Sequence, residues 1–291
     1  TILIKLTINY KITKLMDVNI KTELCSIATK YGTDKVNHGY TLYYHDLFKK
    51  NKNIKNFLEL GIYKGASAKM WCDYFPNTKI YCIDNCEPEK CSGTLICPPE
   101  VLQELNYFNT NIKAINCKQD DRDALIKTFN DVEFSYIVDD ASHYQEESQI
   151  SLAVLFKNLE SKGVYIIEDI CNMWAFQTGS WWGQSDGKDD TNAGNNGWLD
   201  VYKKTGTLKD PSLFKDTIWY VLNSFIETGV FDSPYLTKEE NEYLKENIES
   251  IELVAAPEKR SDYIHSLGVP TYPGTKDSKL TAGCIGIIHK K

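Results

Sequence analysis

Between residues 56 and 167 the chain alternates short apolar runs with amphipathic stretches. Asn56–Leu60, Lys79–Ile83, Lys113–Cys117, Phe134–Val138 and Val164–Ile167 read as strands, short and apolar as a sheet covered on both faces requires. Ala66–Tyr74, Val101–Asn106, Arg122–Phe129 and Glu146–Leu159 carry apolar residues at helical spacing. Strand–helix alternation of this kind predicts an α/β fold, a mostly parallel sheet flanked by helices. Ahead of it, Ile20–Tyr31 and Tyr40–Lys50 read as two helices. Beyond it, Pro211–Thr228 reads as a helix, and Ile251–Ala255 with Cys284–His289 as two final strands.

The two ends of this pattern differ from its middle. Ile2, Ile4, Leu6, Ile8, Tyr10 and Ile12 alternate with other residues, which predicts a strand with two unlike faces rather than the continuous apolar core of a signal peptide. An exposed strand of that kind could complete its own sheet or pair with a second copy of the chain. From Cys171 to Trp198 the chain is rich in Gly, Asn, Asp and Ser and holds Trp174, Trp181, Trp182 and Trp198. Disordered segments are poor in aromatics, so a long loop of this composition predicts a functional lid. The reading is an N-terminal extension over residues 1–50 and one domain over 51–291, with 171–198 as the lid.

Composition narrows the function classes. The chain has 291 residues, 42% hydrophobic and 25% charged, which excludes a disordered or fibrous protein. Its net charge of −7 argues against nucleic acid as a partner, because phosphate contacts supply most of that affinity. No apolar run approaches the roughly 20 residues that span a bilayer, so no membrane association is expected. Nine cysteines without a Cys-x-x-Cys pair favour free thiols in a cytoplasmic setting over zinc or disulfides, even where Cys82, Cys86, Cys91 and Cys97 cluster.

Candidate chemistry sits at the predicted strand ends. Glu59-Leu60-Gly61-Ile62-Tyr63-Lys64-Gly65 closes the first core strand and opens a helix; Gly61 and Gly65 permit a sharp turn and close approach of a ligand. Asp84 ends the second strand, where an acidic side chain can take the hydroxyls of a ribose. Together they predict a nucleoside cofactor. The three-glycine fingerprint of NAD is missing, which favours S-adenosylmethionine (SAM), and Glu59 suits its cationic groups. The fourth and fifth strands end in Asp139-Asp140 and Glu168-Asp169. Carboxylates converging there would repel one another unless a hard divalent cation such as Mg²⁺ held them. Adjacent strand residues point to opposite faces, so Asp139 and Asp140 are not both ligands by default. His143 follows in the loop and suits a general base near neutral pH.

These residues resemble a known family. Lys30-Tyr31-Gly32-Thr33-Asp34-Lys35 with His38-Gly39-Tyr40-Thr41, Leu58-Glu59-Leu60-Gly61, Met70–Pro76, Ile80–Asp84, Asp139-Asp140-Ala141-Ser142-His143 and Ile167-Glu168-Asp169 resemble class I SAM-dependent methyltransferases. Among these, the likeness is to the metal-dependent sugar O-methyltransferases of the mycinamicin and macrocin type. The resemblance covers about residues 24–175. It implies a Rossmann-like methyltransferase fold with a seven-stranded sheet. It implies SAM lined by Glu59, Gly61 and Gly65, with Asp84 on the ribose. Gln119 and Asp121 would lie on the adenine side, and Lys35 and Asp139 would join the cofactor set. It implies Mg²⁺ or another divalent cation on Asp140, Glu168 and Asp169, with His143 as general base toward a hydroxyl of a sugar or other small molecule. An NAD-dependent sugar-modifying enzyme lacks its Tyr-x-x-x-Lys pair here, a hydroxylase would need a second histidine beside His143, and an inactive binding protein would not need the intact acidic set.

Overall fold

The computed structural model describes residues 21–86, 97–170, 216–254 and 285–291. The alternating N-terminal segment, Cys91 and the tryptophan-rich segment 171–198 lie outside the described residues.

Each core element follows from its local sequence. Helix α1 (Glu23–Tyr31) starts at Thr22, whose hydroxyl accepts from the Cys25 N–H, and stops at left-handed Gly32. A 3₁₀ turn (Asp34–Val36) leads into α2 (Tyr40–Phe48). The alternating unit then runs β1 (Asn56–Leu60), α3 (Ala66–Tyr74), β2 (Lys79–Asp84), α4 (Pro99–Phe108), β3 (Ile112–Asn116), α5 (Arg122–Phe129), β4 (Phe134–Asp139), α6 (Gln145–Leu155) and β5 (Leu159–Ile167). Helices α7 (Ile218–Thr228) and α8 (Lys238–Asn247) precede β6 (Ile248–Val254) and β7 (Ile285–Lys290).

The seven strands form one sheet in the order β3-β2-β1-β4-β5-β7-β6. Strands β1 to β5 pair in parallel, while β7 pairs antiparallel with both β5 and β6. This is the mostly parallel, Rossmann-like architecture expected. Two apolar layers cover the sheet. One face packs Leu24, Ala28, Tyr44, Phe48, Trp71 and Leu105 from α1 to α4. The other packs Leu125, Phe129, Leu152, Trp219, Leu222 and Leu244 from α5 to α8.

Two features depart from the pattern reading. The helix expected over Glu146–Leu159 ends at Leu155; a 3₁₀ turn covers Phe156–Asn158, and Leu159 already pairs with Phe134. The apolar run Leu152–Phe156 continues to Leu159 across only Lys157 and Asn158, so hydrophobicity alone did not divide helix from strand. Helix α8 was not expected. It is mostly charged and buries only Leu244, but Thr237 and Glu240 form a reciprocal capping box at its start, a signal legible in the sequence.

The strand order reverses between β1 and β4, where a parallel sheet opens a crevice at its carboxyl ends. There the backbone is tightly constrained. Asp140 N donates to Leu60 O at 2.9 Å and Gly61 N to Ile83 O at 2.9 Å. Gly61 has φ +93, and a Cβ on it would lie 2.1 Å from the Asp140 carbonyl oxygen. Gly61→Ala is therefore expected to destabilise the protein by roughly 2–5 kcal/mol, combining left-handed strain with overpacking against backbone. Urea unfolding measures it; an unshifted midpoint would show that the β4 loop yields freely.

Candidate active site

The parallel register places the candidate residues. Leu60 pairs with Asp139 and Asp139 with Ile167, so Glu59, Asp140 and Glu168 share one face of the sheet. That is the face covered by α1 to α3. Asp139 has the opposite parity and points to the α5–α6 face. The ladder extends one residue past β5, with Glu168 N donating to Asp139 O at 2.9 Å.

Lys35 is the centre of the acidic face. It sits in the 3₁₀ turn between α1 and α2 and its side chain is 1% exposed. Its ammonium donates to Asp140 Oδ2, to Glu168 Oε1 at 2.7 Å, and lies 3.7 Å from Glu59 Oε1. Burial pulls its pKa down, but the charges of Asp140, Glu168 and Glu59 more than offset this and hold it well above the usual lysine value. The sequence reading put Lys35 with the cofactor set; the structure puts it among the carboxylates.

The remaining charge is met by donors from α2 and α3. Tyr40 and Tyr44 stand one helical turn apart on α2. Tyr40 donates to Asp169 Oδ1, and Tyr44 to Glu168 Oε1 at 2.5 Å. Consecutive residues normally face apart, but Asp169 has φ +53, which turns its carboxylate back within reach of the same helix as Glu168. Ser67 and Trp71, also one turn apart, donate to the two oxygens of Glu59 at 2.8 and 2.9 Å. Trp71 is fixed by packing on Phe57 at 4.9 Å between ring centroids. None of these four donors was given a role in the sequence reading, although Tyr40 and Trp71 stand in the motifs quoted there. The signal was available: buried carboxylates need donors, and Tyr40-x-x-x-Tyr44 and Ser67-x-x-x-Trp71 supply them at helical spacing.

His143 completes this side. It has φ +59, a strained conformation for a non-glycine residue. Its Nε2 lies 3.7 Å from Asp140 Oδ1 and 3.9 Å from Asp169 Oδ2. The structure thus brings Asp140, Glu168, Asp169 and His143 together, beside the Gly61 turn.

The other expected cofactor residues divide. Asp84 Oδ2 accepts from Ile62 N at 2.7 Å and Tyr63 N at 3.0 Å, so it holds the turn after β1. Burial raises its pKa while these N–H groups lower it. Asp139 accepts from Gln119, Ser151 and Tyr165. Burial raises it to about 6. Gln119 also accepts from Ser142 N at 3.1 Å, tying the loop after β3 to the loop that carries His143. Asp121 caps α5, accepting from Ala124 N. Gly65 is left-handed at the start of α3, with Leu105 packed where a Cβ would project.

The cluster holds one ammonium against four carboxylates, and burial is the main cause that raises the acid pKa values. Burial drives Glu168 well above the usual carboxylate range, reinforced by the Asp140 charge and opposed by Lys35. Burial drives Glu59 up to about 7, opposed by Lys35, Trp71 and Ser67.

No family model matches the chain. It is similar to mycinamicin VI 2''-O-methyltransferase of Micromonospora griseorubida, 27% identical over 177 residues, covering 57% of this chain and 40% of that protein. It is also similar to a tetracenomycin rhamnosyl 3'-O-methyltransferase of Streptomyces olivaceus, 29% identical over 159 residues, 51% of this chain and 37% of that one. The chain thus spans about two-fifths of the length of these curated relatives. Among solved structures it matches MycE methyltransferase in complex with Mg, SAH and mycinamycin VI, with TM-score 0.55, 20% identity, and coverage of 93% of this chain and 55% of the other. That likeness supports the fold. Among the described residues no helix is long and apolar enough to cross a membrane.

The raised Glu59 pKa predicts a pH dependence of stability. An acid whose folded pKa exceeds its unfolded value of 4.5 binds more protons when folded, so stability falls as pH rises from about 4.5 to about 7. In EDTA, Glu59→Gln should remove roughly 2–3 kcal/mol of that fall. Tm measured from pH 4.5 to 8 tests it; an equally steep profile in the variant would exclude Glu59 as its source.

Proposed function

We propose that this protein transfers a methyl group from SAM to a hydroxyl of a sugar or a glycosylated small molecule, with a divalent cation in the site. The observation that carries the reading is the convergence of Asp140, Glu168, Asp169 and His143 beside the Gly61 turn, at the switch point of the sheet. Similarity to sugar O-methyltransferases over about half of the chain supports it.

On this reading SAM lies along the turn after β1, with Gly61 admitting its close approach and Asp84 serving both the turn and the ribose. Gln119 and Asp121 lie on the adenine side. Asp139 then acts through structure: it anchors Gln119 and keeps the His143 loop in place.

The donor set fits a divalent cation in kind and in charge. It offers hard carboxylate oxygens and a negative excess that Lys35 alone does not balance. Among the described residues no three His, Cys, Asp or Glu side chains are grouped so as to enclose an ion, and Lys35 pairs with both Asp140 and Glu168. The residues that would hold the cation are Asp140, Glu168 and Asp169. Such a cation, when bound, orients hydroxyl oxygens and lowers their pKa.

The chain's own residues supply the rest. The SAM methyl is already activated by its sulfonium. The acceptor oxygen forms the new C–O bond, the S–C bond breaks with its electron pair left on sulfur, and the hydroxyl proton passes to the His143 imidazole. Tyr40 and Tyr44 keep Asp169 and Glu168 oriented. The buried walls around Lys35 and Glu59 exclude water from that side.

His143→Ala should lower kcat by roughly 10²–10⁴ with SAM affinity little changed. EDTA should abolish turnover and added Mg²⁺ restore it. A tritiated-SAM assay against a panel of glycosides and nucleotide sugars reads both. Full turnover in EDTA would remove the cation from the reaction, and a near-normal His143→Ala rate would remove the general base.

A further inference from the structure

Resting on the cation reading above, we propose that Lys35 is the resident counter-ion of the carboxylate cluster before the cation arrives, and that loading the cation displaces the Lys35 ammonium from Asp140 and Glu168 toward Glu59.

The geometry makes the two occupants exclusive. The Lys35 Nζ donates to Asp140 Oδ2 and Glu168 Oε1 at once. A cation held by those carboxylates would need the oxygens that Nζ now occupies, so the two would be close neighbours. Two positive charges at such separation repel strongly where Lys35 and Glu168 are almost fully buried. Lys35 has nowhere polar to go toward solvent, since its side chain is 1% exposed. It does have a second carboxylate at hand: Glu59 Oε1 lies 3.7 Å away, beyond hydrogen-bond length but within one small side-chain movement.

Glu59 is built to receive it. Its two oxygens are held by Ser67 and Trp71, so its position does not depend on Lys35. Tyr44 keeps Glu168 in place when the ammonium leaves, and Tyr40 does the same for Asp169. Lys35 therefore acts as a placeholder: it keeps like charges from driving the strand ends apart in the metal-free protein, and it withdraws to a waiting partner on loading. It is a positioning residue and does not touch the acceptor.

The test titrates MgCl₂ into the EDTA-stripped full chain by isothermal calorimetry. The wild type, Lys35→Met and Asp169→Asn are compared. Wild-type binding that tightens by roughly tenfold or more in Lys35→Met, and is lost in Asp169→Asn, is the expected result. Wild-type binding with equal or weaker affinity in Lys35→Met would overturn the placeholder role and leave the cation site standing. No binding to any form would overturn the cation site, and the proposal with it. Lys35→Met leaves buried carboxylates short of a counter-charge, so a second measurement uses the wild type alone. In protein labelled with ¹⁵N at the lysine Nζ, the Lys35 ammonium, assigned by its loss in Lys35→Arg, should shift on Mg²⁺ saturation. A Lys35 signal unmoved at saturation would equally overturn the displacement.

Discussion

The organisation of this site depends on one constraint: the register of the parallel sheet puts Glu59, Asp140 and Glu168 on the same face, at three adjacent strand ends. Burying three like charges side by side is unfavourable unless each is met by a donor or a counter-charge. The layer formed by α1, α2 and α3 supplies both. Lys35 enters from the 3₁₀ turn, Tyr40 and Tyr44 from α2, and Ser67 and Trp71 from α3. The segment ahead of β1 is therefore part of the site as well as of the fold. Without it, Asp140, Glu168 and Asp169 would lose Lys35, Tyr44 and Tyr40, and only Glu59 would keep its donors, Ser67 and Trp71.

The same layer carries its share of the core. Phe48 packs against Phe57, Trp71, Phe75 and Tyr136, and Trp71 lies between this aromatic cluster and Glu59. Apolar packing thereby fixes the rotamer of a polar donor. Tyr44 is placed likewise, its ring stacked on Phe48 at 5.6 Å while its hydroxyl reaches Glu168. Positioning of Glu59 and Glu168 is inherited from the core.

The strands were legible in the sequence because period and burial mark them: each of the seven described strands overlaps an expected run, although β5 starts at Leu159 and β6 at Ile248, ahead of the runs read at Val164 and Ile251. The acidic pairs at the strand ends were legible for the same reason, since a strand end locates the residue after it. Lys35 was visible only as part of a motif, because nothing in the spacing of residue 35 and residues 140 and 168 says that a turn before the sheet reaches across it. The donors from α2 and α3 were hidden in helical stripes that read equally well as core. The division between Asp139 and Asp140 was legible in two steps: alternation said that they face apart, the resemblance put Asp140 with Glu168 and Asp169, and the pairing of β1, β4 and β5 supplies the physical reason.

That division links the two halves of the site. Asp139 holds Gln119, Gln119 holds the Ser142 N–H, and the His143 loop follows directly. On the other face Asp140 meets Lys35, while its own carbonyl lies against Gly61 so closely that no side chain fits between. Backbone that approaches this closely cannot shift on one side without shifting the other, because close-packed interiors transmit small displacements instead of absorbing them. The glycine turn that would cradle a cofactor and the carboxylates that would hold a cation are thus a single rigid unit. A methyl donor and an acceptor oxygen bound on either side of it would meet at a distance set by the fold, which is the property an in-line transfer requires most.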